Sequence, residues 1–138
     1  MMSRELEEAY RRTTYVVEVS GKKEIHLRIG ERSAALDNLL SDRRMSHWAF
    51  VSAFNPRSNR LSDAENAERH QQLVRRVREL GCAMLPGRGV GDNPAWPAEA
   101  SLLIFQLAPE DARRLAREFE QNAFVVGRKN DPAELLFV

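Results

Sequence analysis

Between Phe50 and His70 the chain reads FVSAFNPRSNRLSDAENAERH, an apolar strand that gives way to Asn55, Arg57, Ser58, Asn66 and His70. Further on stand Arg88, Glu99, Ser101 and Gln121, each polar where its neighbours are not. Glu99 lies between Trp96-Pro97 and a strongly apolar run, so its carboxylate is expected to be partly desolvated. Burial raises a carboxylate's pKa toward neutrality, which makes Glu99 the first candidate for a catalytic acid or base and His70 the second. A buried carboxamide left without partners costs about 1–3 kcal/mol, so Asn66 must bond either the loop above it or a ligand. Arg57 and Arg88 suit planar pairing with a carboxylate or phosphate. Ser101, two residues after Glu99, shares its face of the strand. No strand-turn-helix elbow surrounds that serine, so nothing marks it as an activated nucleophile. Candidate ligand-binding residues are therefore Asn55, Arg57, Ser58, Asn66, Arg88, Glu99, Ser101 and Gln121.

Each has a plainer reading. Asn55-Pro56 and Ser58-Asn59 are turn formers, and side-chain amides often hold loop backbone in place. His70 fits a satisfied core histidine, Gln121 a loop tie at a helix end, and Glu99 an ion pair with Arg57 or Arg88. GRGVGDNP has the glycines of a phosphate cradle, but such a cradle opens a helix, whereas Pro94, Trp96, Pro97 and a strand follow here. A mobile flap with Trp96 as a lid or stacking group is the better expectation.

These residues need elements to position them. Ser3 caps a short helix through about Arg11 with Leu6, Ala9 and Tyr10 on one side. TYVVEV and EIHLRI alternate around SGKK as a hairpin. Gly30 stops the second strand, and Ser33 starts a short helix that buries Leu36, Leu39 and Leu40. HWAFVSAF, residues 47–54, is a strand buried on both faces. Ser62 to Leu80 is a helix opened by the box Ser62-x-x-Glu65 and closed by Gly81, with an inward stripe of Asn66, His70, Leu73, Val77 and Leu80. CAML (82–85) and SLLIFQL (101–107) are strands. Pro109 then opens a helix that buries Ala112, Leu115, Ala116 and Phe119. AFVV and ELLFV are the last two strands.

The fold class expected is α+β: a ferredoxin-like β-α-β-β-α-β core at about 47–127, with the hairpin and the last strand extending the sheet. Right-handed crossovers fix the core strand order as four, one, three, two. That topology brings the loop 55–61, the start of the long helix, the loop 86–98, Glu99 and Gln121–Asn122 to one rim.

Composition limits the classes. A chain of 138 residues is expected to be a single domain over 1–138. It is 43% hydrophobic and 30% charged, as in an ordinary globule. No run approaches the ~18 apolar residues of a membrane span, and MMSRELEEAY lacks a signal peptide's apolar core, so a cytoplasmic address is expected. Net charge is +1, which creates no global attraction to nucleic acid or membrane. Cys82 is the only cysteine, and His26, His47 and His70 fall on different elements. No metal is expected, and no motif names a cofactor.

Ser52-Ala53-Phe54-Asn55-Pro56-Arg57-Ser58, Glu65-Asn66, Glu99-Ala100-Ser101 and Gln121-Asn122-Ala123 resemble an uncharacterised bacterial family, domain of unknown function 3293, from about Tyr10 to Phe137. The family pattern has threonine where Ser52 stands and a small residue where Glu120 sits. The resemblance implies no catalytic roles and marks the same rim residues. The leading expectation is a small-molecule-binding domain with a polar rim site for a small anionic or polar ligand, with enzymatic activity left open and the chain a monomer or homodimer. The alternatives are a nucleic-acid-associated module, disfavoured by the missing aromatic-glycine strand signature, and a protein-interaction or regulatory domain using a sheet edge.

Overall fold

The structure is a computed structural model and describes residues 3–138. Helix α1 spans Arg4–Arg12, with the Ser3 hydroxyl accepting the Leu6 N–H at 3.2 Å. The hairpin strands β1 (Thr14–Ser20) and β2 (Lys23–Leu27) follow, then helix α2 (Ala34–Asp42), capped by Ser33. Strand β3 (His47–Ser52) leads through a single 3-10 turn at Pro56–Ser58 into helix α3 (Asp63–Glu79). Both hydrogen bonds of the Ser62–Glu65 capping box are formed. Strands β4 (Met84–Val90) and β5 (Glu99–Phe105), helix α4 (Pro109–Glu118), and strands β6 (Ala123–Arg128) and β7 (Glu134–Phe137) complete the chain.

The fold is mixed α+β, with one seven-stranded sheet ordered β2-β1-β4-β5-β3-β6-β7 and every neighbouring pair antiparallel. Counted within β3 to β6, the order is four, one, three, two. The hairpin joins through β1 on β4, and β7 joins on β6. The sheet curls until its two outer strands approach. Ile29 and Ala133 form a bridge, with the Gly30 N–H donating to the Ala133 carbonyl at 2.8 Å.

Strand alternation sorts the side chains onto two faces. The inner face gathers Tyr15, Val17, Ile25, Leu27, Trp48, Phe50, Leu103, Phe105, Val125 and Leu135, with Leu36 and Leu40 of α2 packed among them. The outer face carries Ala49, Val51, Leu102, Ile104, Phe124 and Val126, covered by Leu73 and Val77 of α3 and by Ala112, Leu115 and Ala116 of α4. Helix α1 has no buried residue.

Three local expectations are corrected. β4 runs on through Pro86-Gly87-Arg88-Gly89-Val90, hydrogen-bonded to β1 on one side and β5 on the other. Gly87 serves packing: a Cβ there would stand 2.7 Å from the Val16 carbonyl oxygen and 2.8 Å from the Phe50 ring. Only Gly91 to Ala98 remains a loop between strands. Leu80, expected inside the α3 stripe, is 40% exposed because the helix turns away at its C-cap. Arg88 points to neither Glu99 nor the rim. It pairs with Glu24 at 2.9 Å and Glu18 at 3.5 Å across the hairpin.

Candidate functional site

A cavity of about 440 Å³ opens on the inner face beside the ends of β3 and the start of β5. That volume lies within the usual range of small-molecule sites. It exists because the inner face changes character along each strand. Phe50 is followed on its face by Ser52, and Leu103 is preceded by Ser101 and then Glu99. The aromatic packing stops where side chains become small or polar, and α1 roofs the gap with Leu6, Ala9 and Tyr10.

The polar frame starts from Asn66, 4% exposed on the first turns of α3. Its Oδ1 accepts the backbone N–H of Asn55 at 2.9 Å, and its Nδ2 donates to Asn55 Oδ1 at 2.9 Å. Asn55 Oδ1 also accepts the Leu61 N–H at 2.9 Å, and Asn55 Nδ2 donates to Glu99 Oε1 at 2.7 Å. Backbone N–H groups can only donate, so these two bonds fix which way both amides face. Glu99 Oε1 must therefore accept. Its Oε2 takes no hydrogen bond among the described residues, and Glu99 belongs to the cavity wall.

The backbone around this frame is strained. Asn55, Arg57 and Ser58 have φ of 46°, 53° and 64°, a left-handed conformation unusual for residues with a side chain. The strain is held in place by bonds from several elements. Arg57 N–H donates to the Glu120 carbonyl at 2.7 Å, and Asn122 Nδ2 donates to Ser58 Oγ at 2.9 Å. Gln121 Nε2 donates to the carbonyls of Phe54 and Phe119, at 3.0 and 3.1 Å. Arg69 Nε donates to the Ala53 carbonyl at 2.7 Å. Glu120 itself has φ of 57° just past the end of α4, a position where glycine is usual, which accounts for the small residue expected there.

Electrostatics follow from enclosure. Burial raises the Glu99 pKa above the normal carboxylate range, and the Asn55 hydrogen bond offsets part of the rise. Tyr10 is pushed up to about 12, first by burial and then by the Glu99 charge, with the Ser58 hydroxyl pulling the other way. Burial also raises Tyr15, whose hydroxyl donates to the Tyr10 carbonyl at 2.8 Å and pins the end of α1 to the sheet. At the mouth, Arg12 of α1 pairs with Asp92 of the flap at 3.0 Å, and both are more than half exposed. The Arg60 guanidinium lies 5.3 Å from the centre of the Trp96 ring, which also borders the cavity.

Of the residues singled out from the sequence, Asn55, Ser58, Glu99, Ser101 and Gln121 line this cavity. Asn66 supports it from behind through Asn55. Arg57 is exposed and contributes its backbone, and Arg88 is elsewhere. His70 does not line the cavity. Its ring meets Phe54 edge-on at 6.4 Å, its buried Nδ1 has no partner among the described residues, and burial lowers its pKa. Ser101 Oγ donates to the Glu99 carbonyl at 3.0 Å, so its proton is already engaged. Sequence reasoning missed Tyr10 as a site residue. The available signal was an aromatic residue on the one apolar side of a short, highly charged helix. Among the described residues no group of three His, Cys, Asp or Glu side chains could hold a metal ion, and no helix is long and apolar enough to cross a membrane.

A family model described as protein of unknown function (DUF3293) matches residues 51–124. The match is shorter than the stretch over which the sequence resembles the family. It runs from the end of β3 to the start of β6 and so contains Asn55, Asn66, Glu99 and Gln121 but not Tyr10. No curated protein and no solved structure matches the chain.

Proposed function

We propose, for a chain that belongs to the DUF3293 family of proteins of unknown function, that the inner-face cavity binds a small polar molecule. Glu99 Oε2 is its principal polar contact. The observation that carries this reading is the chain of hydrogen bonds from Asn66 through Asn55 to Glu99, a residue of the cavity wall whose second carboxylate oxygen takes no hydrogen bond among the described residues. A buried polar network whose members are all satisfied except at one cavity-facing atom is preorganised for something that arrives there. Because that oxygen takes no hydrogen bond among the described residues, it also suits proton exchange with a bound molecule.

The strand order of the core supports a ferredoxin-like arrangement, here widened by three further strands into a curled sheet. Sheets of that kind bind RNA through exposed aromatic residues. Phe50 and Phe105 are buried, which favours the small-molecule reading.

A thermal-shift screen of nucleotides, amino acids and sugar phosphates tests the proposal. A ligand that raises the melting temperature of the protein and fails to do so for Glu99→Gln supports it. If no compound stabilises the protein, or every hit is indifferent to Glu99→Gln, the reading is wrong.

A further inference from the structure

The cavity's hydrogen-bonding atoms are unequally available. Asn55 directs its NH2 group to Glu99, and Gln121 directs its own to two backbone carbonyls. The hydroxyls of Ser52, Ser101 and Thr13 donate to the carbonyls of Ala100, Glu99 and Ala9. These donors beside Glu99 are thus consumed by the protein itself, and the donors of the lining that remain are the Tyr10 and Ser58 hydroxyls, the Trp96 indole N–H and the Asn93 amide. The side-chain acceptors of the wall left without a donor among the described residues include Glu99 Oε2 and Gln121 Oε1.

Charge points the same way. Arg12 is tied to Asp92 at the mouth, Arg88 is engaged by Glu18 and Glu24, and Arg60 keeps its charge but lies against Trp96 outside the lining residues. Glu99 is the one ionisable carboxylate in the wall without a cationic partner among the described residues. An anion entering here would meet that carboxylate, and the one basic side chain of the lining, Arg12, is already paired with Asp92, whereas a cation relieves an uncompensated buried charge. Tyr10, Tyr15, Phe50, Phe54 and Trp96 form much of the remaining wall, and aromatic faces attract cations.

Resting on the reading of the cavity as a ligand site, we infer that its ligand is a protonated primary or secondary amine carrying an apolar or aromatic body. The ammonium N–H groups meet Glu99 Oε2 and Gln121 Oε1, and the body lies against the aromatic wall beneath α1. A phosphate or carboxylate ligand is disfavoured by the same accounting.

A matched trio of phenethylamine, hydrocinnamate and phenethyl alcohol tests this, with binding measured by calorimetry and melting temperature. Phenethylamine is expected to bind and hydrocinnamate is not. Glu99→Gln, which keeps an oxygen for the Asn55 hydrogen bond, should weaken amine binding roughly 10–100-fold, the range for losing a hydrogen bond to a charged partner. Trp96→Leu, at a position 43% exposed and so safe for folding, should weaken it several-fold. Equal or tighter binding of hydrocinnamate or the alcohol, or amine binding unchanged by Glu99→Gln, overturns the amine assignment while leaving the cavity as a ligand site. Failure of phenethylamine to bind also overturns it. The cavity reading then stands only if a compound from the wider screen binds in a Glu99-dependent way.

Discussion

The two faces of the sheet are built from alternate residues of the same strands, yet they are finished differently. On the outer face Val51, Leu102, Ile104 and Val126 meet two helices, α3 and α4, and Leu73 and Val77 of α3 are fully buried. On the inner face Phe50, Leu103 and Val125 pack well, but toward one end Ser52, Ser101 and Glu99 take over and only the short α1 covers them. The outer face is a dry layer that supplies stability. The inner end holds polar groups in a strained loop and leaves room for a guest. Strain and polar burial of this sort are tolerated where the surrounding structure over-determines them, and the bonds converging on Asn55, Ser58 and Gln121 do so here.

Leu73→Ala should break this contrast most visibly. Removing a side chain with no exposure from the outer layer is expected to cost about 2–5 kcal/mol in urea unfolding and leave ligand affinity unchanged. A loss below about 1 kcal/mol would mean that the outer layer is not the main source of stability. Asn66→Leu lies at the junction of the two regions. It leaves the buried Asn55 N–H unpaired, so stability should fall by about 1–3 kcal/mol. Glu99 also loses the anchor behind Asn55, so ligand affinity should fall with it. Unchanged affinity in a folded Asn66→Leu protein would separate the loop clamp from the site.

The smallest effect has the opposite sign. With its pKa raised by burial above the usual ~4.3, native Glu99 holds its proton more tightly than the unfolded chain does. Wild-type stability is therefore reduced as pH rises from the unfolded pKa through the folded one. Glu99→Gln removes that slope, so the variant should melt above wild type near neutrality and the gap should close below about pH 4. The titratable neighbours facing Glu99 are Tyr10 and Tyr15, both raised and neutral throughout this window, with Arg12 and Asp92 paired at the mouth. His70, lowered by burial, weakens the fold as pH falls, but it does so in both proteins and cancels in the difference. A gap that stays constant with pH would show that Glu99 is not desolvated.

Much of this was legible in the sequence. The capping box at Ser62, the proline opening α4 and the apolar stripes set the order of elements, and strand direction then brought Asn55, Asn66, Glu99 and Gln121 together. What stayed hidden depended on packing between distant strands. Gly87 reads as a loop residue because glycine marks both turns and close approaches, and only the Phe50 ring reveals which applies. The wish of Arg88 for an acid was evident, but Glu24 became its partner only once β1 had docked on β4. Tyr10 entered the cavity because Tyr15 fastens α1 across the sheet, a contact that spacing along the chain does not announce.

The bridge between Ile29 and Ala133 carries a consequence for assembly. It ties residues more than a hundred positions apart in the chain, so the seam can be sewn only after nearly every intervening element has formed. Contacts of such long range are late and slow to form. Closure of the curl is therefore expected to follow assembly of the sheet, and it leaves β2 paired along its length with β1 alone.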